Sequence, residues 1–129
     1  MGASAIQVVT GNIGSLKADQ KKALERTFRR RVAPNRIITP ELARHLCEIS
    51  RQIGREVGVL INRRGQIEYT FVGESKRIYL PDIGRQRAGM GHFRGLRHIH
   101  TTLGGQGLQL EDYSDLTKLR LDVVGALQV

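Results

Sequence analysis

Thr39-Pro40-Glu41 constrains the fold of this chain more than any other short stretch. Thr can cap a helix, Pro fits the first helical position, and Glu suits the positive end of the helix dipole. Leu42, Leu46, Ile49 and Ile53 follow at helical spacing, and Gly54 ends the pattern. Residues 57–61 then form a buried strand by composition. Asn62-Arg63-Arg64-Gly65 reads as a hairpin turn, with Gly65 supplying a positive φ. Residues 66–72 alternate and place Ile67, Tyr69 and Phe71 on one face. A helix feeding a hairpin of apolar strands predicts an α+β or α/β fold, a small mixed β-sheet flanked by helices.

The rest of the chain fits that frame. Residues 5–10 are a short apolar run, read as an edge strand and broken by Gly11 and Gly14. Ser15 can cap a helix over residues 16–31, with Asp19 in its first turn and Leu24, Phe28 and Val32 on one stripe. Residues 77–80 read as a third strand, stopped by Pro81-Asp82, and residues 84–95 as a glycine-rich basic loop. Residues 96–103 read as a strand with Leu96, His98, His100 and Thr102 on one face. After the loop Gly104-Gly105-Gln106-Gly107, Glu111 or Asp112 opens a last helix with Leu116, Leu119, Val123 and Leu127 on its buried side. That pattern runs to Val129 with no stop signal, as expected of one domain of a longer protein.

The length of 129 residues suits a single domain over residues 1–129 with a core of its own. With no Trp and few aromatics, aliphatic side chains must supply most of that core. The net charge of +9 favours an anionic partner such as RNA, the ribosome or a membrane surface. Arg29, Arg30 and Arg31 either complement the negative end of a helix or contact RNA. Arg85, Arg87, Arg94 and Arg97 crowd a second segment, whose loop can hold an RNA backbone. Phe93 is the only aromatic in that loop, so base stacking on a single strand is disfavoured. The lone Cys47 sits among Leu46 and Ile49 as a small apolar residue, and it excludes an intramolecular disulfide. With no apolar run long enough to span a membrane and no signal-peptide pattern, a cytoplasmic location is expected. Gly-x-x-x-x-Gly-Lys-Ser/Thr is absent, and Gly89 to Gly95 lacks the terminal Lys, so no residue of this chain is expected to bind GTP.

His98 and His100 share a strand face, and a metal site built on them needs a third ligand. Asp112 is the first candidate for it and Asp115 the second, and Glu56 is the candidate general base. This set resembles the JAMM motif of the JAB1/MPN zinc isopeptidases, in which a Glu precedes an apolar strand and His-x-His, a short loop and Ser-x-x-Asp follow. Arg55-Glu56-Val57-Gly58-Val59-Leu60, His98-Ile99-His100 and Gln109-Leu110-Glu111-Asp112 occupy those places. The resemblance implies a JAB1/MPN-like (cytidine deaminase-like) fold, with zinc at His98, His100 and Asp112. Gln109 stands where that family has the Ser that helps to stabilise the oxyanion, and Thr101 where it has Pro. A peptidase or isopeptidase site that has degenerated is what these departures imply.

Read end to end, the chain resembles the extra N-terminal region of long-form HflX-type GTPases. The resemblance rests on Gly11-Asn12 with Leu16-Lys17, on Lys22-Ala23-Leu24-Glu25-Arg26 with Arg29-Arg30-Arg31, and on Ile38-Thr39-Pro40-Glu41-Leu42-Ala43. It continues through Gly58-Val59-Leu60-Ile61-Asn62-Arg63-Arg64-Gly65, Leu80-Pro81-Asp82-Ile83-Gly84-Arg85 and Arg94-Gly95-Leu96-Arg97. Asp115-Leu116 and Leu119-Arg120-Leu121-Asp122 complete it, so it covers nearly the whole chain from Gly11 onward. It implies a cytosolic GTPase bound to the large ribosomal subunit, with GTP and Mg held in a G domain absent from this chain. The domain itself would contact ribosome or rRNA, or serve as an interaction module that regulates its own GTPase domain.

Overall fold

The computed structural model describes residues 7–81 and 93–129. In chain order its elements are β1 (Val9–Gly11), α1 (Ala18–Arg26), a 3-10 turn (Thr27–Arg29), α2 (Pro40–Ile53), β2 (Val57–Ile61), β3 (Ile67–Val72), β4 (Arg97–Thr102), α3 (Leu110–Lys118) and β5 (Val123–Gln128). The five strands form one mixed sheet in the order β1-β3-β2-β4-β5. β2 runs antiparallel to both β3 and β4, whereas the outer pairs β1–β3 and β4–β5 are parallel. This is an α+β arrangement with helices on both faces of the sheet.

α2 forms as its sequence demands. Thr39 caps it, its Oγ1 accepting from the Leu42 N–H at 3.2 Å, and Gly54 closes it at φ 68 with its N–H donating to the Ser50 carbonyl. Its buried stripe, Leu42, Leu46 and Ile49, packs with Leu24 and Phe28 onto Val57, Val59, Ile61 and Ile99 of the sheet. The opposite sheet face carries Leu60, Phe71 and Leu96, covered by Leu116 and Leu119 at the end of α3 and by Leu121 beyond it. His98 and His100 lie on this second face, beside Phe71 and below Asp112.

Four local expectations change. Residues 16–31 are not one helix: Ser15 sits at φ 66, Lys17 takes the N-cap, and after Arg26 the backbone tightens into the 3-10 turn and becomes extended at Arg30. Ile67 does not share a face with Tyr69 and Phe71. Leu60 pairs with Tyr69 but Ile61 pairs with Ile67, so Glu68 is an extra residue that turns Ile67 into the α2-side core. Residues 77–80 form no strand, although Ile78 and Leu80 still pack into the second core. The last helix stops at Lys118. Arg120 adopts φ 55, and the chain then pairs with the open edge of β4 as β5. Leu116, Leu119, Val123 and Leu127 fit helical spacing, but Leu121, Val123 and Leu127 equally fit a strand. Adjacent Val123 and Val124, followed by Gly125, favour the extended form, and the β4 edge supplies the hydrogen bonds that settle it.

Candidate functional site

Two groups of polar side chains gather at opposite ends of β2. Glu56, just before β2, meets the C-terminal half of β4 and the start of α3. Asn62, Arg63 and Arg64, just after β2, meet the Arg29-Arg30-Arg31 segment and the entry to β4.

At the first end, a cavity of about 250 Å³ is lined by Glu56, His100, Thr102, Gln109 and Asp112, with Lys76, Arg77 and Tyr79 among its other walls. His100 Nε2 lies 3.2 Å from Asp112 Oδ1, and its Nδ1 lies 3.1 Å from the Thr101 carbonyl. Both ring nitrogens therefore face acceptors. Burial would lower the His100 pKa, but the bond to Asp112, the Thr101 carbonyl and the charges of Asp112 and Glu56 outweigh it and hold it above the ordinary imidazole value. Burial likewise opposes ionisation of Asp112, yet the bonds from His100 and from the Gln109 N–H at 2.8 Å keep its pKa below the usual carboxylate range. Burial pushes Glu56 up, only partly offset by the Leu103 N–H that donates to its Oε2 at 3.3 Å.

His98 is placed differently. Its ring is stacked between Phe71, centroid to centroid 5.5 Å, and His100 at 4.8 Å. It is buried, both nitrogens lack a hydrogen-bond partner, and it does not line the cavity. Among the described residues, no three His, Cys, Asp or Glu side chains are set to hold one metal ion together. His98 has unpartnered ring nitrogens, and His100 directs Nε2 at Asp112 with Nδ1 on the Thr101 carbonyl, an orientation that a metal-ligating histidine also adopts. The four residues singled out in the sequence are thus neighbours, joined by the His100–Asp112 hydrogen bond and the His98–His100 ring contact. Thr101, which stands where the motif has Pro, bridges the sheet to α2: its Oγ1 accepts from the Val57 N–H at 2.9 Å and donates to Ser50 Oγ at 2.8 Å. Asp115 is half-buried and outside the cavity lining.

At the other end lies a cleft of about 800 Å³. Arg29, Arg30 and Arg31 line one side, Arg63 and Arg64 of the hairpin turn another, and Arg94 the entry to β4. All six are exposed. Among the described residues only Arg63 has a carboxylate ion pair, bidentate to Asp122 at 2.9 and 3.0 Å. Arg29 ends the 3-10 turn, Arg30 is its C-cap with its N–H donating to the Thr27 carbonyl, and Arg31 lies beyond it in extended backbone. Turn chemistry and the HflX-like stretch account for Arg63 and Arg64 in the sequence without marking an anion site; two adjacent basic residues at a hairpin tip are the signal it offers. Arg85 and Arg87 lie outside the described residues. Phe93 is buried, edge-on against Tyr69 at 6.1 Å, and presents no stacking face.

Arg97 does not belong to this cleft. It is 6% exposed, and its guanidinium donates to the carbonyls of Arg36, Ile37 and Asn62. It ties the segment before α2 to the hairpin, a structural task that explains its burial. Arg97→Ala is expected to lower stability by about 2 kcal/mol, because three part-buried carbonyls lose a charged donor. It should leave anion binding within about twofold of wild type. Urea unfolding and a binding isotherm check the two halves.

No family model, curated protein or solved structure matches the chain. No helix among the described residues is long and apolar enough to cross a membrane.

Proposed function

We propose that this chain is an RNA-contacting accessory domain of an HflX-type, ribosome-associated GTPase, acting in the cytoplasm on the large ribosomal subunit. The observation that carries this is the convergence of six exposed arginines, from three separate chain segments, on one cleft. Gathering like charges opposes folding unless an anionic ligand repays it, and phosphate is the anion arginine recognises best. The stretches that resemble the HflX extra region supply these walls, through Arg63-Arg64 and Arg94-Gly95-Leu96. GTP and Mg belong to a G domain outside this sequence.

Co-sedimentation with large ribosomal subunits tests the reading. Five arginines free to meet phosphates should make affinity fall about five hundredfold between 50 and 200 mM salt. Arg30→Glu and Arg64→Glu should each weaken it by at least about tenfold. Salt-independent binding, or binding indifferent to both substitutions, would rule out the cleft as the contact.

A second reading concerns the other end of the sheet and is favoured by the meeting of Glu56, His100 and Asp112 in one cavity. The order helix, hairpin, strand, loop, helix is the one the JAMM resemblance implies, and it supports descent from a JAB1/MPN-like metallopeptidase. Gln109 in place of Ser supports a site no longer used for catalysis.

A further inference from the structure

The cleft narrows what kind of RNA it can hold. Among the described residues its only aromatic wall residue is Phe28, which is 7% exposed and belongs to the α2-side core. The exposed aromatics Tyr79 and Tyr113 lie outside the cleft lining. Proteins that bind single strands gain much of their affinity by stacking bases on aromatic rings, about 1–3 kcal/mol per base. No such platform exists here among the described residues.

The walls are also fixed relative to each other. Val32 N–H donates to the Gly65 carbonyl at 2.9 Å, and Arg31 forms an isolated antiparallel bridge with Gln66. Arg63 is further held to Asp122, at the entry to β5. The backbones that carry Arg31 and Arg64 are thus tethered before any ligand arrives. A fixed spacing of these two walls suits a ligand whose phosphates are themselves regularly spaced, and it gains least from a flexible strand that must be ordered on binding.

We propose that the ligand of this cleft is the sugar–phosphate backbone of double-helical RNA, held without reading its bases. The proposal rests on the RNA-binding function above and names the form of RNA. Stacking of unpaired bases on the arginine planes is the competing mode.

Fluorescence anisotropy with purified protein distinguishes them. The probes are a duplex RNA of about 16 base pairs, each of its strands alone, and the DNA duplex of the same sequence. Duplex RNA should bind at least about tenfold tighter than either strand, and a scrambled duplex should differ by less than about threefold. Arg30→Glu and Arg64→Glu should weaken duplex binding at least about tenfold, while Arg44→Glu, exposed on α2 and away from the cleft, should not. Single strands binding as tightly as the duplex would overturn the duplex assignment and leave RNA binding standing. Equal binding of duplex DNA would overturn the choice of RNA. Absence of binding to every probe would overturn both this proposal and the function it rests on.

Discussion

Gly65→Ala is expected to destabilise the protein by about 3 kcal/mol and to open the arginine cleft. Gly65 holds φ +88, and a Cβ there would lie 1.7 Å from the Val32 carbonyl oxygen. The obstacle is backbone, so no side-chain rotation relieves it. The segment around Val32 must move away, which breaks the Val32 N–H to Gly65 carbonyl bond and the Arg31–Gln66 bridge. The left-handed conformation costs an L-residue about 1–2 kcal/mol, and a lost buried hydrogen bond about 1–3 kcal/mol. Gly54→Ala provides the control. Gly54 also has a positive φ, +68, but nothing lies within 4 Å of its Cβ position, so only about 1 kcal/mol should be lost. Urea unfolding should show the Gly65→Ala midpoint falling by more than about 1 M at unchanged slope, with Gly54→Ala falling much less. Because Gly65 ties Arg30 and Arg31 to Arg64, RNA affinity should fall in Gly65→Ala and not in Gly54→Ala. Equal losses in the two variants would mean that backbone conformation alone, and not the contact between the two walls, matters at Gly65.

What could be read from the sequence was whatever local chemistry decides. Thr39, Pro40 and Gly54 bound α2 because capping and φ preference act within a few residues. Gly65 marked the hairpin for the same reason. The apolar tail could not be assigned this way, since its spacing satisfies helix and strand alike. The choice fell to an unpaired strand edge contributed by β4, a tertiary fact. The bulge at Glu68 was equally hidden: alternation predicts one face for Ile67 and Tyr69, and only pairing against β2 shows the extra residue. For the site, the spacing of Glu56, His100 and Asp112 announced neighbours, and they are neighbours. Charge counting announced a basic surface but misplaced Arg97, whose carbonyl partners come from two distant segments. Arg63 and Arg64 were overlooked because a turn already explained them.

In metal-free protein, stability is expected to fall as pH drops below about 6.5, and His98→Leu is expected to flatten that decline. His98 is 1% exposed with both nitrogens unpaired, and burial, reinforced by His100, holds its pKa down to about 3. The unfolded chain takes up a proton near 6.5 that the folded chain refuses until about 3. Each pH unit in that window therefore favours unfolding by about 1.4 kcal/mol, roughly 4 kcal/mol across it. Glu56 works the other way in the lower part of the window. Its raised pKa lets the folded chain bind a proton before the unfolded one, so the net loss is smaller. His100 acts at the alkaline side: its pKa is raised, so its contribution is complete below 6.5 and lost as pH rises through the folded value. Asp112, held below 3.8, contributes above that value and loses its effect only in stronger acid. Leucine keeps the volume of His98 but removes two unpaired polar atoms. His98→Leu should thus match or exceed wild type at pH 7 and surpass it by about 2–3 kcal/mol at pH 4, with the alkaline decline unchanged. Urea midpoints from pH 4 to 8 measure all three. Repeating the series with zinc separates a disused site from a working one. A ligand that binds only the folded state raises stability with its concentration. Zinc that leaves wild type and His98→Leu unmoved agrees with a site no longer used. Zinc that stabilises wild type alone would make His98 a ligand and restore the metallopeptidase reading.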